Sequence, residues 1–319
     1  MDMSVLLALQ SFREGAGGIF ADFMLKMTWF GDLSTIAALM ALVYWCVSKE
    51  LGTYFLLGWS GNRLVNGTLK VTACVYRPWI RDARIVPYGD SINTATGYSF
   101  PSGHITNAST VFGGLALRRD VSRGLRFALV AVVVLVGLSR NFLGVHTPQD
   151  VLVGGTAGFL VMGLTAKLMN WLEEHPEKDV LVAGIGVGLF VLLALYAGLK
   201  SYPEDYNAEG QLIVDGAKMA NDSFKAVGWG IGILLGWILE RRYVGFSTDV
   251  PLMQKLSRCV FGMLGYYVLT LILAPLIKQG IVGPAGTVLT CFLQMFYVLF
   301  LFPWLLMRFQ TQNTETVQS

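Results

Sequence analysis

Residues 124–171, GLRFALVAVVVLVGLSRNFLGVHTPQDVLVGGTAGFLVMGLTAKLMNW, contain two long apolar stretches joined by a short polar connection. About 20 apolar residues in helical form span the ~30 Å hydrocarbon core of a bilayer. The stretches 124–142 and 148–171 therefore predict two membrane-spanning helices, with their polar connection at one membrane face. Few charged residues interrupt this sequence: Arg126, Arg140, Asp150 and Lys167.

The whole chain has the same apolar character. Of its 319 residues, 54% are hydrophobic and only 14% are charged, and the mean hydropathy is +0.56. Soluble domains carry about 25% charged residues. The sequence therefore predicts an all-α integral membrane protein with about nine membrane-spanning helices. Besides the two above, the predicted spans are 28–47, 51–70, 101–118, 179–199, 223–241, 256–277 and 281–307.

The charges of the connections predict an orientation. The connection 118–126 carries four arginines against one aspartate, and 240–258 adds three arginines and a lysine. Short cytoplasmic loops are enriched in Lys and Arg, so both connections are predicted to be cytoplasmic. The net charge of +3 is small and indicates no nucleic-acid partner. The connections expected on the outer side are 71–100, 143–147, 200–222 and 278–280.

Residues 1–27 differ from the spans because charged residues break their short apolar clusters, which favours an amphipathic helix at the membrane interface. Segment 200–222 is predicted to be an outer loop that could cap a site or merely join two helices. Residues 309–319 are expected to form a polar cytoplasmic tail. The four cysteines show no CxxC pair, so neither a metal site nor a disulfide framework is indicated.

Charged residues near the outer ends of predicted spans are costly unless they are used. Lys70 and Arg77 are seven residues apart, and Pro78 disfavours helical geometry at Arg77, so the helix is expected to end there. Two cations at a boundary could simply extend toward the head groups. However, the polar face is longer than that role requires, because it includes Asn62, Arg63 and Asn66.

A second polar segment is Pro101-Ser102-Gly103-His104. Proline suits a first helical turn, and the free amides of such a turn favour a bound anion. His104 would face that anion and could donate a proton to a leaving oxygen. The plainer alternative is that Pro-Ser-Gly only marks the start of a helix.

The third segment contains Ser139-Arg140, His146 and Asp150. His146 and Asp150 are four residues apart, which places them on one side of a helical turn. The carboxylate could hold one imidazole nitrogen protonated and leave the other free to attack, while the planar fork of Arg140 suits phosphate oxygens. A helix-start aspartate paired with a surface histidine is the alternative. The chain has only three histidines, two of them in these segments, which favours chemistry; His175 is predicted to be a loop residue.

Taken in order, Lys70-x6-Arg77-Pro78, Pro101-Ser102-Gly103-His104 and Ser139-Arg140-x5-His146-x3-Asp150 resemble the three-part signature of the type 2 phosphatidic acid phosphatase (PAP2) superfamily. The resemblance covers about residues 28–199 and implies a six-helix catalytic core. Residues 223–308 are then expected to add three helices, a count similar to that of the glucose-6-phosphatase branch.

The resemblance also implies roles for the residues. Lys70, Arg77 and Arg140, with Ser102 and the Gly103 amide, would hold a phosphate. His146 would attack phosphorus, His104 would protonate the leaving oxygen, and Asp150 would orient His146. The three cations would do the work of a metal, so we expect neither a metal nor another cofactor.

The expected enzyme is a membrane phosphatase acting on a phosphorylated lipid, such as a polyprenyl diphosphate or a phosphatidic acid-type lipid, at the outer face of the plasma membrane. A small phosphate ester, as in glucose-6-phosphatase, is the alternative substrate. An inactive lipid-binding protein or a transporter is the alternative of another class. The oligomeric state and the exact leaving group are left open.

Overall fold

The computed structural model describes residues 3–309, and every regular element in this range is helical. This agrees with the predicted all-α class. The α-helices are α1 (Ser4–Ala16), α2 (Gly18–Met27), α3 (Leu33–Leu42), α4 (Lys49–Ala73), α5 (Pro78–Arg81), α6 (Gly103–Ala108), α7 (Gly114–Leu117), α8 (Arg123–Phe142), α9 (Pro148–Glu174), α10 (Asp179–Leu199), α11 (Gly216–Tyr243), α12 (Leu252–Val268), α13 (Ala274–Gly280) and α14 (Pro284–Phe296).

Several successive helices are joined by π-helical turns instead of loops. Such turns connect α6 to α7 (Ser109–Gly113) and α12 to α13 (Leu269–Leu273), and they extend α3 and α14 at their C-terminal ends. Residues 103–117 therefore continue as one bent helical segment. A single β-bridge, between Tyr206 and Leu212, lies in the connection before α11.

Six helices of the described range are long and apolar enough to cross a membrane, and the protein is an integral membrane protein. A bent pair, Gly18–Gly31 with Leu33–Val47, would make a seventh span, its two halves meeting at 47°. The predicted count of nine is not confirmed. Helix α4 is long enough but carries charged residues along its length, and the segment 103–117 is too short to span ~30 Å as a helix.

Most boundaries of the long helices lie within a few residues of the sequence prediction, with two differences. Helix α11 begins at Gly216, inside the segment predicted as the outer loop 200–222. The N-terminal segment is also more broken than one interfacial helix, because α1 and α2 are separated at Gly17, whose φ of 79° is unfavourable for other residues. Residues 310–319 of the predicted tail lie outside the described range.

The chain divides into two compact units. The first contains Met1–Ala37, Gly61–Thr165 and Leu195–Ser223, and the second contains Ala38–Ser60, Ala166–Ala194 and Phe224–Ser319. All three polar segments singled out in the sequence lie in the first unit. The division of the chain into linear domains stays a prediction.

Close packing of α9 against the segment 102–113 builds the core of the first unit. Ile105, Ala108, Val133 and Val136 form a buried apolar cluster. Glycines on α9 allow its backbone to approach, since a Cβ placed on Gly158 would lie only 2.5 Å from the Cβ of Ser109. Small residues permit such close helix contacts inside a membrane, where the hydrophobic effect between helices is weak.

A buried arginine ties α1 to the end of α8. Arg13 donates hydrogen bonds to the carbonyl oxygens of Phe142 (2.9 Å) and Val86 (2.7 Å). The Phe142 carbonyl belongs to the last turn of α8, which cannot be satisfied within the helix. Helix α1 therefore contacts the last residue of α8, two residues after Arg140, and the connection that contains Val86.

The second unit has its own polar core. Lys49 forms a 2.6 Å ion pair with the fully buried Glu240, and the indole of Trp45 donates to the carbonyl of Val298 (2.8 Å). Arg258 donates to the carbonyl oxygen of Ser247 at 2.6 Å. The first two bonds join segments that are distant in sequence, and the third ties α12 to the connection that precedes it.

Adding a methyl group at Gly158 tests the glycine contact. We expect Gly158→Ala to lower the free energy of unfolding by about 1–3 kcal/mol, because overpacking forces the two backbones apart. Gly163→Ala on the same helix is the matched control, since a Cβ there meets nothing within 4 Å. Thermal unfolding in detergent measures both variants. Equal melting temperatures for the two would contradict the packing described for α9.

Candidate active site

Arg77 is at the centre of a cluster of buried polar groups in the first unit. Its guanidinium donates to the carbonyl oxygens of Gly97 (3.0 Å), Thr96 (2.6 Å) and Val145 (3.1 Å). A further N–H points to Nε2 of His146 at 3.0 Å. Pro78 begins α5 directly after Arg77, and the predicted non-helical geometry of Arg77 is confirmed, since its backbone is extended. Helix α4 itself ends earlier than predicted, at Ala73.

The imidazole of His146 lies between a cation and a carboxylate. Its Nδ1 is 3.4 Å from Oδ2 of Asp150 and 3.5 Å from Oγ of Ser99, while Nε2 faces Arg77. Because Arg77 is always a donor, Nε2 must accept, so the ring proton is assigned to Nδ1. His146 therefore presents a lone pair on the side of the cations.

Asp150 is fixed by several donors. Its Oδ2 accepts from the Ser99 hydroxyl (2.6 Å) and from the Thr147 amide (2.8 Å). The Thr147 hydroxyl in turn lies 3.4 Å from the Asp150 amide, which makes a reciprocal capping box at the start of α9. The carboxylate that starts this helix is thus also the one beside His146.

Residues 96–99 form a scaffold for the cluster. The carbonyl oxygens of Thr96 and Gly97 accept from Arg77, that of Tyr98 accepts from Lys70, and the Ser99 hydroxyl donates to Asp150. Four consecutive residues thereby contact three of the predicted site residues. This segment lies in the polar connection before Pro101.

Three predicted site residues have unused donors in this cluster. Ser102 Oγ, His104 Nε2, and Nε and Nη1 of Arg140 are buried and have no hydrogen-bond partner among residues 3–309. Ser102 directly precedes α6, but its side chain does not cap this helix. By contrast, Ser122 caps α8, since its Oγ accepts from the Leu125 amide. Unpaired buried donors are costly, so their arrangement suits an anionic ligand.

The second polar segment is held close to the first and third. The Ser102 amide donates to the carbonyl of Asp150 at 2.9 Å. His104 is near enough to Arg140 and His146 for their charges to interact. A Cβ on Gly103 would meet nothing within 4 Å, so the backbone is open on that side. The structure thus brings together all eight predicted residues: Lys70, Arg77, Ser102, Gly103, His104, Arg140, His146 and Asp150.

The polar face of α4 forms hydrogen bonds with the helical segment that carries His104. Asn66 donates to Thr106 Oγ1 (3.3 Å), Asn62 donates to Thr110 Oγ1 (2.8 Å), and Arg63 donates to Asn107 Oδ1. The sequence singled out the α4 residues by their spacing. Their partners could not be recognised, because Thr and Asn on an apolar helix carry no distinctive signal.

The sequence analysis also missed Ser99, Thr96 and Asp222. Ser99 could have been noticed as a polar residue just before the Pro-Ser-Gly-His segment. Asp222 accepts from Thr96 Oγ1 at 3.1 Å and lies 3.8 Å from the ammonium of Lys70. It belongs to the acidic segment considered as a cap, but its charge alone did not distinguish it from its neighbours.

Burial and neighbouring charges both shift the pKa values of the loop residues His146 and Arg77. Burial is the main cause that lowers the pKa of His146 below its ordinary value of 6.5, and the positive charge of Arg77 lowers it further, with Asp150 opposing. Burial also lowers the pKa of Arg77 to about 10, so that this side chain stays charged at neutral pH. The stable pair is therefore a neutral imidazole beside a cation.

The arrangement can bind an anion and attack it. It combines buried cations, an oriented neutral imidazole, and a second imidazole with an unused nitrogen. Within residues 3–309, no group of three or more His, Cys, Asp or Glu side chains could hold a metal ion.

Comparisons with known proteins agree with the resemblance. Residues 51–174, which include the three motifs, match the model of the PAP2 superfamily, and residues 224–314 match that of the PAP2 superfamily phosphatase transmembrane extension. The two matches together span more than half of the chain. Phosphatidylglycerophosphatase B of Bacillus subtilis (strain 168) is 29% identical over 173 residues, covering 48% of this chain and 84% of that protein. No solved structure matches the chain significantly.

The lowered pKa predicts the protonation state of His146. An unperturbed histidine is half protonated at about pH 6.5. We expect His146 to remain neutral and protonated on Nδ1 as the pH falls from 8 through 6.5, because its cation is disfavoured by burial and by Arg77. Nitrogen NMR of histidine-labelled protein in detergent measures this, with His146→Gln to assign the signal. Protonation at or above pH 6.5 would contradict the described environment.

Proposed function

The chain belongs to the PAP2 superfamily and is a phosphatase, and from this premise we propose that it removes a phosphate from a membrane lipid through a phosphohistidine intermediate. The observation that carries the proposal is the position of His146. Its proton-free Nε2 faces Arg77, while Nδ1 faces a carboxylate fixed by Ser99 and Thr147.

In the first step, the substrate phosphate accepts the N–H of Arg77 that bonds to Nε2 of His146 in the empty site. The freed Nε2 attacks phosphorus and the bond to the leaving oxygen breaks. His104 gives its proton to that oxygen, so that the lipid leaves as a neutral alcohol when the substrate is a monoester, or as a lipid phosphate when it is a diphosphate. Asp150 stabilises the positive charge that develops on His146 through Nδ1. In the second step, water attacks the phosphohistidine, His104 takes its proton, and inorganic phosphate and free His146 are formed.

The cations contribute in different ways. Arg77 already uses most of its N–H groups on three carbonyl oxygens and His146, so it mainly fixes the nucleophile. Arg140 has two nitrogens without partners among the described residues, and Ser102 has a free hydroxyl. We therefore assign the main contacts with phosphate oxygens to Arg140 and Ser102, with Lys70 and the Gly103 amide completing the site. Fixed donors of this kind stabilise the charge that spreads over the equatorial oxygens.

An apolar cavity beside the site supports a lipid substrate. It has a volume of about 780 Å³ and lies between residues of α6, α8 and α9. At one end it reaches Asn141, which follows Arg140 and donates to the His146 carbonyl at 2.9 Å. A hydrocarbon chain in this cavity would place its phosphate near the cations. The lining includes Ile105, Val134, Leu138, Leu152 and Leu160.

These surroundings favour a lipid that combines a long apolar chain with a terminal phosphate. The leading candidates are a polyprenyl diphosphate and a glycerophospholipid phosphate, since both combine a long apolar chain with a terminal phosphate. The name of the Bacillus relative adds phosphatidylglycerophosphate to this list. The charges of the loops favour a site on the outer side of the membrane.

Phosphate release from a panel of substrates tests the reaction. The panel contains undecaprenyl diphosphate, phosphatidic acid, phosphatidylglycerophosphate and glucose 6-phosphate, with purified protein in detergent. We expect turnover of a lipid and a loss of more than about a thousandfold in His146→Ala, which lacks the nucleophile. His175→Ala is the matched control and should keep full activity.

Good turnover of glucose 6-phosphate without any lipid activity would favour the soluble-substrate alternative. If neither the wild type nor His146→Ala is active, or if both are equally active, the phosphohistidine mechanism fails. A binding or transport protein would then be the better interpretation.

Filling the apolar cavity tests the lipid chain. We expect Leu152→Trp to lower kcat/KM for a long-chain lipid phosphate by about tenfold or more, because the indole occupies the space of the chain. Hydrolysis of a short-chain, water-soluble analogue should be unchanged. Leu164→Trp, also exposed on α9 but outside the cavity, is the control. Equal losses for long and short chains would place the substrate chain elsewhere.

A further inference from the structure

Asp222 is a carboxylate next to the phosphate-binding cations that none of the three motifs contains. It lies in the first turns of α11, at 3.8 Å from Nζ of Lys70. Its two oxygens accept from Thr96 Oγ1 at 3.1 and 3.4 Å, which directs the carboxylate toward the site scaffold. If Asp222 were only a polar residue that faces solvent, neither the contact with Lys70 nor that with Thr96 would be needed.

The backbone is shaped to admit this carboxylate. Gly97 has a φ of 66°, and a Cβ placed on it would lie 2.6 Å from Oδ2 of Asp222. The same Gly97 gives its carbonyl oxygen to Arg77. One segment therefore holds the central arginine on one side and accommodates Asp222 on the other.

Asp222 also interacts electrostatically with more than one cation. Lys70, Arg77 and Arg63 are each near enough to be affected by its charge. The ammonium of Lys70 makes its close hydrogen bond to the Tyr98 carbonyl, and Asp222 is beyond hydrogen-bond distance from it. The pair is thus a charge contact that an incoming phosphate can replace.

We propose that Asp222 is a positioning residue that acts through Lys70: it balances the charge of Lys70 in the empty site, competes with phosphate for it, and thereby promotes release of the inorganic phosphate product. This inference rests on the proposed phosphatase function. A site with several buried cations would otherwise hold a dianionic product tightly. The internal carboxylate weakens the binding of substrate and product phosphate alike, and returns to Lys70 when phosphate leaves.

The sign of the effect separates this role from a structural one. Asp222→Asn keeps the shape and can still bond to Thr96, but it removes the negative charge. We expect inorganic phosphate to bind about a hundredfold more tightly to this variant, the order expected for one unit charge about 6 Å away at an effective dielectric constant of about 20. A residue that merely held the fold would weaken phosphate binding when it is changed.

The experiment is titration calorimetry of the full-length protein in detergent with inorganic phosphate, together with product inhibition of the hydrolysis reaction. Asp205→Asn is the matched control, since that carboxylate lies in the same outer segment and bonds to the Tyr76 hydroxyl at 2.7 Å. Phosphate affinity of this control should equal that of the wild type. In a Lys70→Met background the effect of Asp222→Asn should be clearly smaller, because only the direct repulsion between the carboxylate and phosphate remains.

Each result has a defined meaning. Tighter phosphate binding in Asp222→Asn, with stronger product inhibition, supports the proposal. Equal or weaker binding in this variant overturns it, provided that the wild type binds phosphate. If the wild type binds no phosphate at all, the proposed function itself fails. An effect of Asp222→Asn that is just as large in Lys70→Met would show that Asp222 does not act through that lysine.

Discussion

The buried guanidinium of Arg77 is the interaction on which the rest of the site depends. It joins residues 96–97 to Val145 and His146, which are distant in sequence, and it does so from the interior of a membrane protein. Removing such a cation from water costs several kcal/mol unless its donors are satisfied. The carbonyl oxygens around it offset this cost. The imidazole of His146, the nucleophile that we propose, is therefore placed by the same bonds that make the buried charge tolerable.

The donors left over are as important as those that are used. Arg77 is nearly saturated by backbone, whereas Arg140, Ser102 and His104 each have an atom without a partner among the described residues. One set of groups fixes the scaffold and the other is available to a ligand. This separation explains how a cluster of cations can be rigid before a phosphate arrives, which is the condition for electrostatic stabilisation of a transition state.

Much of this arrangement could be predicted from the sequence, because the site residues occur at short, regular spacings. The spacing of His146 and Asp150 predicts their contact, and Pro78 predicts the extended backbone of Arg77. Long-range partners are a different matter: Asp222 reaches Lys70 across more than a hundred residues, and Ser99 meets Asp150 only in three dimensions. The count of spans also exceeded what the structure supports, since polar residues on α4 serve the site at the expense of its hydropathy.

The capping box at the start of α9 has a consequence for the thermal inactivation of the enzyme. Thr147 and Asp150 bond to each other to begin the helix, and the same Asp150 carboxylate lies beside Nδ1 of His146. Fraying of a first helical turn is ordinarily harmless, because the rest of the helix is unaffected. In this protein, fraying of the first turn of α9 would move the Asp150 carboxylate away from His146. Activity is therefore expected to depend on the stability of this one turn as well as on that of the whole bundle.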